Sequence, residues 1–238
     1  LNNLYFKDET QNPTNSFKDR TAALLTSHAR SWKYDSIICA SNGNQGASMA
    51  AYTSLEGMEC LNIVPRNIDV GKKAQMIAYN SELKELGITV DEAIEEASNM
   101  IYSPQYYQAT PELNPLTFDA QKTIIYEITK QIGDLDRILI PMGSGGLLVS
   151  IWKGLNELIK AKIIEKLPKI VGVQSSVLSP IVNTFNEIYT KGNNINDFKS
   201  YASGILVKNP KFKDLAIEAI KQSKGEALSV PENLMLTA

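Results

Sequence analysis

An α/β protein built on parallel sheet is what this sequence predicts, and three observations carry the expectation. Short runs rich in Val and Ile recur along the chain. Stretches with helical apolar spacing separate them, and two of the runs pass through glycine-containing turns straight into a helix. The composition agrees: 43% of the 238 residues are hydrophobic and 21% charged, which describes a core-forming chain rather than a disordered or fibrous one.

Taken in chain order, the strand runs are 36–40, 60–64, 137–140 and 169–174, with weaker ones at 82–86, 106–109 and 204–207. Helical patterns fill 44–55, 71–80, 90–100, 119–131, 145–160, 180–189 and 211–223. An earlier helix follows Thr14 and Ser16, either of which can cap it, and ends near His28. Prolines interrupt the regular pattern after Tyr102, in Ser103-Pro-Gln-Tyr-Tyr and in Pro111-Glu-Leu-Asn-Pro115. We therefore expect a small domain, 34–105, inserted into a larger one made of 1–33 plus 106–238. The one notable polar loop is Lys191-Gly-Asn-Asn-Ile-Asn-Asp197.

Charge and residue counts exclude several classes of function. With 24 basic and 26 acidic side chains the net charge is −2, and no basic tract offers a general nucleic-acid footprint. No apolar run approaches the roughly 18–20 residues of a membrane span, and no signal peptide opens the sequence. Cys39 and Cys60 are too few for a disulfide framework, so a reduced, cytoplasmic setting is expected. A single histidine, His28, excludes multi-histidine metal sites; it reads as a residue near a helix C-terminus, and no metal is expected. Proton chemistry must then come from Lys, carboxylates, Tyr or a cofactor.

Three segments stand where open α/β folds bind ligands. In Gln11-Asn-Pro-Thr-Asn-Ser-Phe-Lys-Asp-Arg20, Lys18 falls in the first turn of a helix, whose positive end penalises an ammonium. It is either a solvated lysine paired with Asp19 or an amine tuned to attack a carbonyl and form a Schiff base. In Ala40-Ser-Asn-Gly-Asn-Gln-Gly-Ala-Ser48, Gly43 and Gly46 open backbone N–H groups at a helix start. That suits a carboxylate, or is a plain turn. In Pro141-Met-Gly-Ser-Gly-Gly-Leu-Leu148, Gly143, Gly145 and Gly146 turn several N–H groups towards a helix dipole, which suits a phosphate monoester or is again a tight turn. Neither glycine loop has the three-glycine spacing and following acid of a dinucleotide site, and there is no Gly-Lys-Ser/Thr of a P-loop.

A nucleophilic lysine, an anion loop and a phosphate loop in that order resemble the tryptophan-synthase-β-like (fold type II) pyridoxal-phosphate enzymes. Within them, Tyr5-Phe-Lys-Asp-Glu-Thr-Gln-Asn-Pro-Thr-Asn-Ser-Phe-Lys-Asp-Arg20 is similar to the lysine segment of threonine synthases. Asn114-Pro-Leu-Thr-Phe-Asp-Ala-Gln-Lys-Thr-Ile-Ile-Tyr-Glu-Ile128 is similar to their Gly-Gln-Lys-Thr stretch, with Ala120 in place of the glycine. The resemblance runs essentially from end to end. It implies a three-layer parallel-sheet fold, pyridoxal 5'-phosphate as cofactor, an amino-acid substrate and a homodimer. It implies Lys18 as the Schiff-base lysine and proton carrier, and Asn44 as partner of the cofactor's phenolic oxygen. Ser41, Asn42, Gly43 and Gln45 would hold the substrate carboxylate, and Gly143, Ser144, Gly145, Gly146 and Leu147 the cofactor phosphate. The implied reaction is O-phosphohomoserine plus water giving threonine and phosphate. The alternatives are β-elimination or β-replacement on serine, threonine or an activated serine, and a non-catalytic binding protein, which retention of Lys18 argues against.

Two departures qualify the resemblance. The chain is expected to be truncated at both ends, lacking the last strand that places a hydroxyl against the cofactor's ring nitrogen. Where related enzymes hold the substrate phosphate with Thr, Asn, Ser, Arg and Asn, this chain carries Gln45, Pro111, Glu112, Thr117 and Leu147, and no arginine lies between Arg66 and Arg137.

Overall fold

The computed structural model describes residues 3–100, 105–188 and 200–237. The expected loop 191–197, the Ser103-Pro104 break and the end of the helix expected over 180–189 lie outside them. The chain forms two compact units, Leu1–Gln121 and Lys122–Ala238.

The first unit runs α1 (Lys18–Ser31), β1 (Ser36–Ala40), α2 (Asn44–Leu55), β2 (Glu59–Val64), α3 (Val70–Ala78), β3 (Glu82–Glu85), α4 (Val90–Asn99), β4 (Tyr107–Gln108) and α5 (Leu116–Gln121). Its four strands are parallel in the order β3-β2-β1-β4. Strand side chains alternate between faces, and the two cores follow that alternation. Ile37, Cys39, Cys60 and Val64 join Ala22, Leu25, Ala29, Met49 and Met76 from α1, α2 and α3. Ile38, Ala40, Leu61 and Ile63 join Ala93, Ile94 and Ala97 from α4. Strands buried on both faces between helices give the helix–sheet–helix layering expected. They also explain why β1 is an unbroken apolar run. Cys39 and Cys60 are both buried free thiols; burial pushes Cys60 up to about 11 and Cys39 well above the usual thiol range, so both are inert core residues.

Gly46 fixes how α2 meets the sheet. A Cβ there would lie 2.6 Å from Met76 Cε and 2.8 Å from Asn62 Oδ1, so only glycine lets the helix start approach β2. The buried Asn62 side chain then donates from Nδ2 to the Gly46 carbonyl at 3.1 Å and to Ser81 Oγ at 2.8 Å.

The second unit runs α6 (Thr123–Ile132), β5 (Arg137–Pro141), α7 (Gly146–Lys160), β6 (Lys169–Ser175), α8 (Pro180–Phe185), α9 (Lys213–Gln222), β7 (Glu226–Val230) and α10 (Glu232–Met235). Its sheet is parallel with order β5-β6-β7. Ile140, Met142, Leu148, Ile151, Leu155, Ile170, Ala219 and Ile220 are among its buried apolar side chains.

Three expectations change. The strand expected over 204–207 is a short 3-10 turn, Ser203–Ile205. The strand actually present, Glu226–Val230, has a single buried residue, Ala227, and owes its form to pairing with β6 rather than to its own polar composition. The helix expected over 119–131 starts earlier, at Leu116, where Asn114 Oδ1 accepts the Leu116 N–H at 3.0 Å behind Pro115, and it divides into α5 and α6.

Candidate active site

In the first unit, β1 is flanked by β2 on one side and β4 on the other, so the chain leaves β1 in one direction and returns beyond it. The carboxyl ends of β1 and β4 therefore meet at a topological switch point, where open parallel sheets bind ligands. Ser41 to Gln45 leave β1 there, and Thr110 to Asn114 leave β4. Thr110 Oγ1 accepts the Ala40 N–H at 2.9 Å. Its carbonyl accepts the N–H of Leu113 and of Asn114, winding Pro111 and Glu112 into a tight turn beside β1.

Lys18 is the first residue of α1 and is half-buried. Its Nζ lies 4.8 Å from the centre of the Phe17 ring. Burial lowers its amine below the usual lysine range, while the negative charge of Glu112 and the Cys39 thiol pull it partly back. Asp19 is not its partner. That carboxylate, 1% exposed, accepts the Thr14 N–H at 2.7 Å and the Thr14 hydroxyl at 2.6 Å, and Thr14 Oγ1 lies 2.8 Å from Ser48 Oγ in α2. Of the two readings of Lys18, the solvated pair with Asp19 is not formed; Asp19 instead closes a buried clamp between the lysine segment and α2. Ser16, expected as a cap, accepts the Lys18 N–H at 3.2 Å, whereas Thr14 serves the clamp. Before it, Arg20 pairs with Glu9 through Nε at 2.7 Å and a second guanidinium nitrogen at 2.8 Å. Burial alone would raise the Glu9 carboxyl, but the Arg20 pairing holds it below the usual range.

The turn after β1 is closed by a side chain. Ser41 Oγ accepts the Gly43 N–H at 3.0 Å and the Gly46 N–H at 2.9 Å. Asn42 and Asn44 point outward and are exposed, whereas Gln45 is buried and both its amide atoms lack a hydrogen-bond partner among the described residues. Thr117 Oγ1, on α5, is buried and unpartnered in the same sense. His28 serves structure: its Nδ1 lies 2.8 Å from Tyr107 Oη, and its Nε2 accepts the Trp32 indole N–H at 3.2 Å.

In the second unit the turn after β5 is built differently. Gly145 has φ +90°, a left-handed conformation, and a Cβ there would lie 3.1 Å from the Phe212 carbonyl. The first bond of α7 runs from the Val149 N–H to the Gly145 carbonyl. Among the described residues the N–H groups of Gly143, Ser144, Gly145, Gly146 and Leu147 find no acceptor. Five donors at the start of a 15-residue helix form a ready anion cradle.

The structure thus brings Lys18, Ser41, Asn42, Gly43, Asn44 and Gln45 into one unit, and Gly143 to Leu147 into the other. Sequence reasoning missed the Thr14–Asp19–Ser48 clamp. Its one signal was a carboxylate in the first turn of a helix otherwise headed for the core. Among the described residues no group of three His, Cys, Asp or Glu could hold a metal, and no helix is long and apolar enough to cross a membrane.

Residues 1–238 match the family model described as pyridoxal-phosphate dependent enzyme. Threonine synthase of Methanocaldococcus jannaschii is 32% identical over 244 residues, covering 100% of this chain and 59% of its own. Threonine synthase of Bacillus sp. (strain ULM1) is 35% identical over 237 residues, covering 99% and 64%. The chain therefore spans less than two thirds of either relative. Among solved structures, serine racemase from Dictyostelium discoideum matches with TM-score 0.75 and 20% identity over 98% of this chain and 72% of that one. The processed form of threonine deaminase isoform 2 from Solanum lycopersicum matches with TM-score 0.70 and 22% identity over 94% and 63%. At those identities the likeness concerns the fold, which is the fold type II arrangement expected. The chain belongs to the pyridoxal-phosphate dependent enzyme family.

Proposed function

We propose that this chain is the catalytic part of a threonine-synthase-like lyase that uses pyridoxal phosphate on an amino-acid substrate. The reference reaction is O-phosphohomoserine plus water giving threonine and phosphate. The observation that carries the reading is Lys18: a half-buried amine shifted towards its neutral form, held in place by the Asp19 clamp. A neutral amine is the form that bonds a carbonyl and takes up a proton. The bound cofactor would act as an electron sink for the substrate's α-carbon. Lys18 Nζ would hold the cofactor and move protons at the substrate's α and β carbons. Asn44 would donate to the cofactor's phenolic oxygen, and Gly143 to Leu147 would hold its phosphate through backbone N–H groups. Those unpartnered donors and the orphaned Gln45 amide fit such a group. Ser41, Asn42, Gly43 and Gln45 would take the substrate carboxylate.

We also propose a homodimer, a cytoplasmic location, and a division into a small domain, 34–105, and a larger one made of 1–33 plus 106–238. The threonine synthase relatives support the assignment at the level of enzyme type. One observation favours a second reading, elimination or replacement on serine, threonine or an activated serine: Glu112, an acidic group, stands in the turn beside Lys18. A product screen of the pyridoxal-phosphate-loaded protein with O-phosphohomoserine, threonine, serine and O-acetylserine tests both. Threonine and phosphate released from phosphohomoserine support the first reading. Release of 2-oxo acid or replacement products from the other three supports the second, and no product from any of them overturns both.

A further inference from the structure

We infer that Gln174 and Phe212 are positioning residues of the loop after β5: each holds a carbonyl of that loop, and thereby turns the next N–H towards the cofactor phosphate. This rests on the reading that Gly143 to Leu147 take that phosphate. The backbone ladder between β5 and β6 reaches as far as the bond from the Met142 N–H to the Val173 carbonyl, at 2.8 Å. The Met142 carbonyl is then held by a side chain, since Gln174 Nε2 donates to it at 3.3 Å. Two residues further on, the Ser144 carbonyl accepts the Phe212 N–H at 3.0 Å.

A trans peptide unit is planar, so its C=O and its N–H point in opposite directions. The Met142 carbonyl shares its peptide unit with the Gly143 N–H, and the Ser144 carbonyl with the Gly145 N–H. A carbonyl tied to Gln174 or to Phe212 therefore sends the paired N–H the other way, among the donors that find no acceptor in the described residues. The Gly146 N–H is aimed by α7 itself, because the Gly145 carbonyl of its peptide unit accepts the Val149 N–H. Helix geometry supplies that third donor, whereas the first two depend on residues distant in the sequence.

Both holders are themselves fixed. Gln174 is fully buried, and its Oε1 accepts the Ile181 N–H at 2.9 Å and the Val182 N–H at 3.1 Å, at the start of α8. With the amide oxygen so engaged, its nitrogen is the end that faces Met142. The Phe212 ring lies against Gly146, where a Cβ would come within 3.3 Å of Cδ2. Its carbonyl accepts the Ala216 N–H at 2.9 Å, the first bond of α9. Donors already aimed bind an anion without a further ordering cost, so loosening either holder should weaken the hold on phosphate alone.

The test titrates the full chain with pyridoxal phosphate and with pyridoxal, read by visible absorbance. Both ligands carry the aldehyde that reacts with Lys18, so the ratio of their affinities isolates the phosphate. Gln174→Met keeps an unbranched side chain of similar size without the amide, and Phe212→Ala removes the ring that seats the residue. Each should lower the ratio at least about fivefold while leaving pyridoxal affinity within about twofold of wild type. An unchanged ratio, whether neither ligand is weakened or both alike, is what a merely structural residue gives, and in either folded variant it overturns the inference. Should one variant not fold, the other decides by the same two outcomes. A wild type that binds pyridoxal as tightly as its phosphate ester overturns the phosphate-loop reading and this inference together. A wild-type preference that survives in the variants overturns this inference alone, so the two failures are distinguishable.

Discussion

The turn after β1 and the turn after β5 both carry a parallel strand into a helix N-terminus, yet they satisfy their backbones in different ways. In the first, Ser41 Oγ takes the N–H groups of Gly43 and Gly46, and what remains to face outward is side chains, Asn42 and Asn44. In the second, among the described residues no side chain closes the turn by accepting from it, and the backbone N–H groups of Gly143 to Leu147 are the open donors. The contrast teaches how to tell a loop that reads its ligand with side chains from one that reads it with backbone. A side-chain loop is sensitive to loss of a hydroxyl. A backbone loop is sensitive to the arrival of a Cβ or a charge.

The largest expected effect tests that contrast in the second loop. Gly145→Asp should reduce pyridoxal-phosphate affinity by at least about 100-fold, because a carboxylate repels phosphate and an L side chain at φ +90° is strained. Ser144→Ala should change it by no more than about threefold, since no side chain of the loop is needed. Cofactor titration by absorbance or fluorescence reads both, and similar losses in the two variants would break the comparison. Next comes Ser41→Ala in the first loop. It leaves two buried N–H groups without their acceptor and should cost about 1–3 kcal/mol of stability in chemical denaturation. Gly46→Ala should cost about 1–3 kcal/mol by pushing α2 off Met76 and Asn62. A Ser41→Ala protein as stable as wild type would show that the hydroxyl does not hold the turn.

Much of this is legible in the residues themselves. The apolar runs 36–40 and 60–64 are buried on both faces, so composition alone marks them as central strands. Lys18 and the two glycine turns stood out because chemistry at a helix start is a local matter of spacing. What was not legible depends on distant partners. Glu226–Val230 becomes a strand only because β6 pairs with it, and Asp19 turns from Lys18 to Thr14 because Ser48 of α2 completes the clamp. Glu112 is nearly a hundred residues from Lys18 in the sequence, yet its charge acts on the Lys18 amine.

The smallest effect sharpens that last point. Burial lowers the Lys18 amine and Glu112 opposes the shift by favouring the ammonium. Removing the charge in Glu112→Gln should therefore move the pH midpoint for Lys18 reaction with an aldehyde to lower pH, with Cys39 the other group facing it. The sign follows from linkage: the group whose pKa is lowered loses its proton earlier as pH rises. A midpoint that moves up, or does not move, would remove Glu112 from the neighbourhood of the amine.

The most direct measurement of the central claim is to load the native protein with pyridoxal phosphate, reduce it with borohydride and map the labelled peptide. The account predicts a yellow protein whose reduced label sits on Lys18, within the segment Asn12-Pro-Thr-Asn-Ser-Phe-Lys-Asp-Arg20. A label fixed on any other lysine, or none fixed at all, would contradict it.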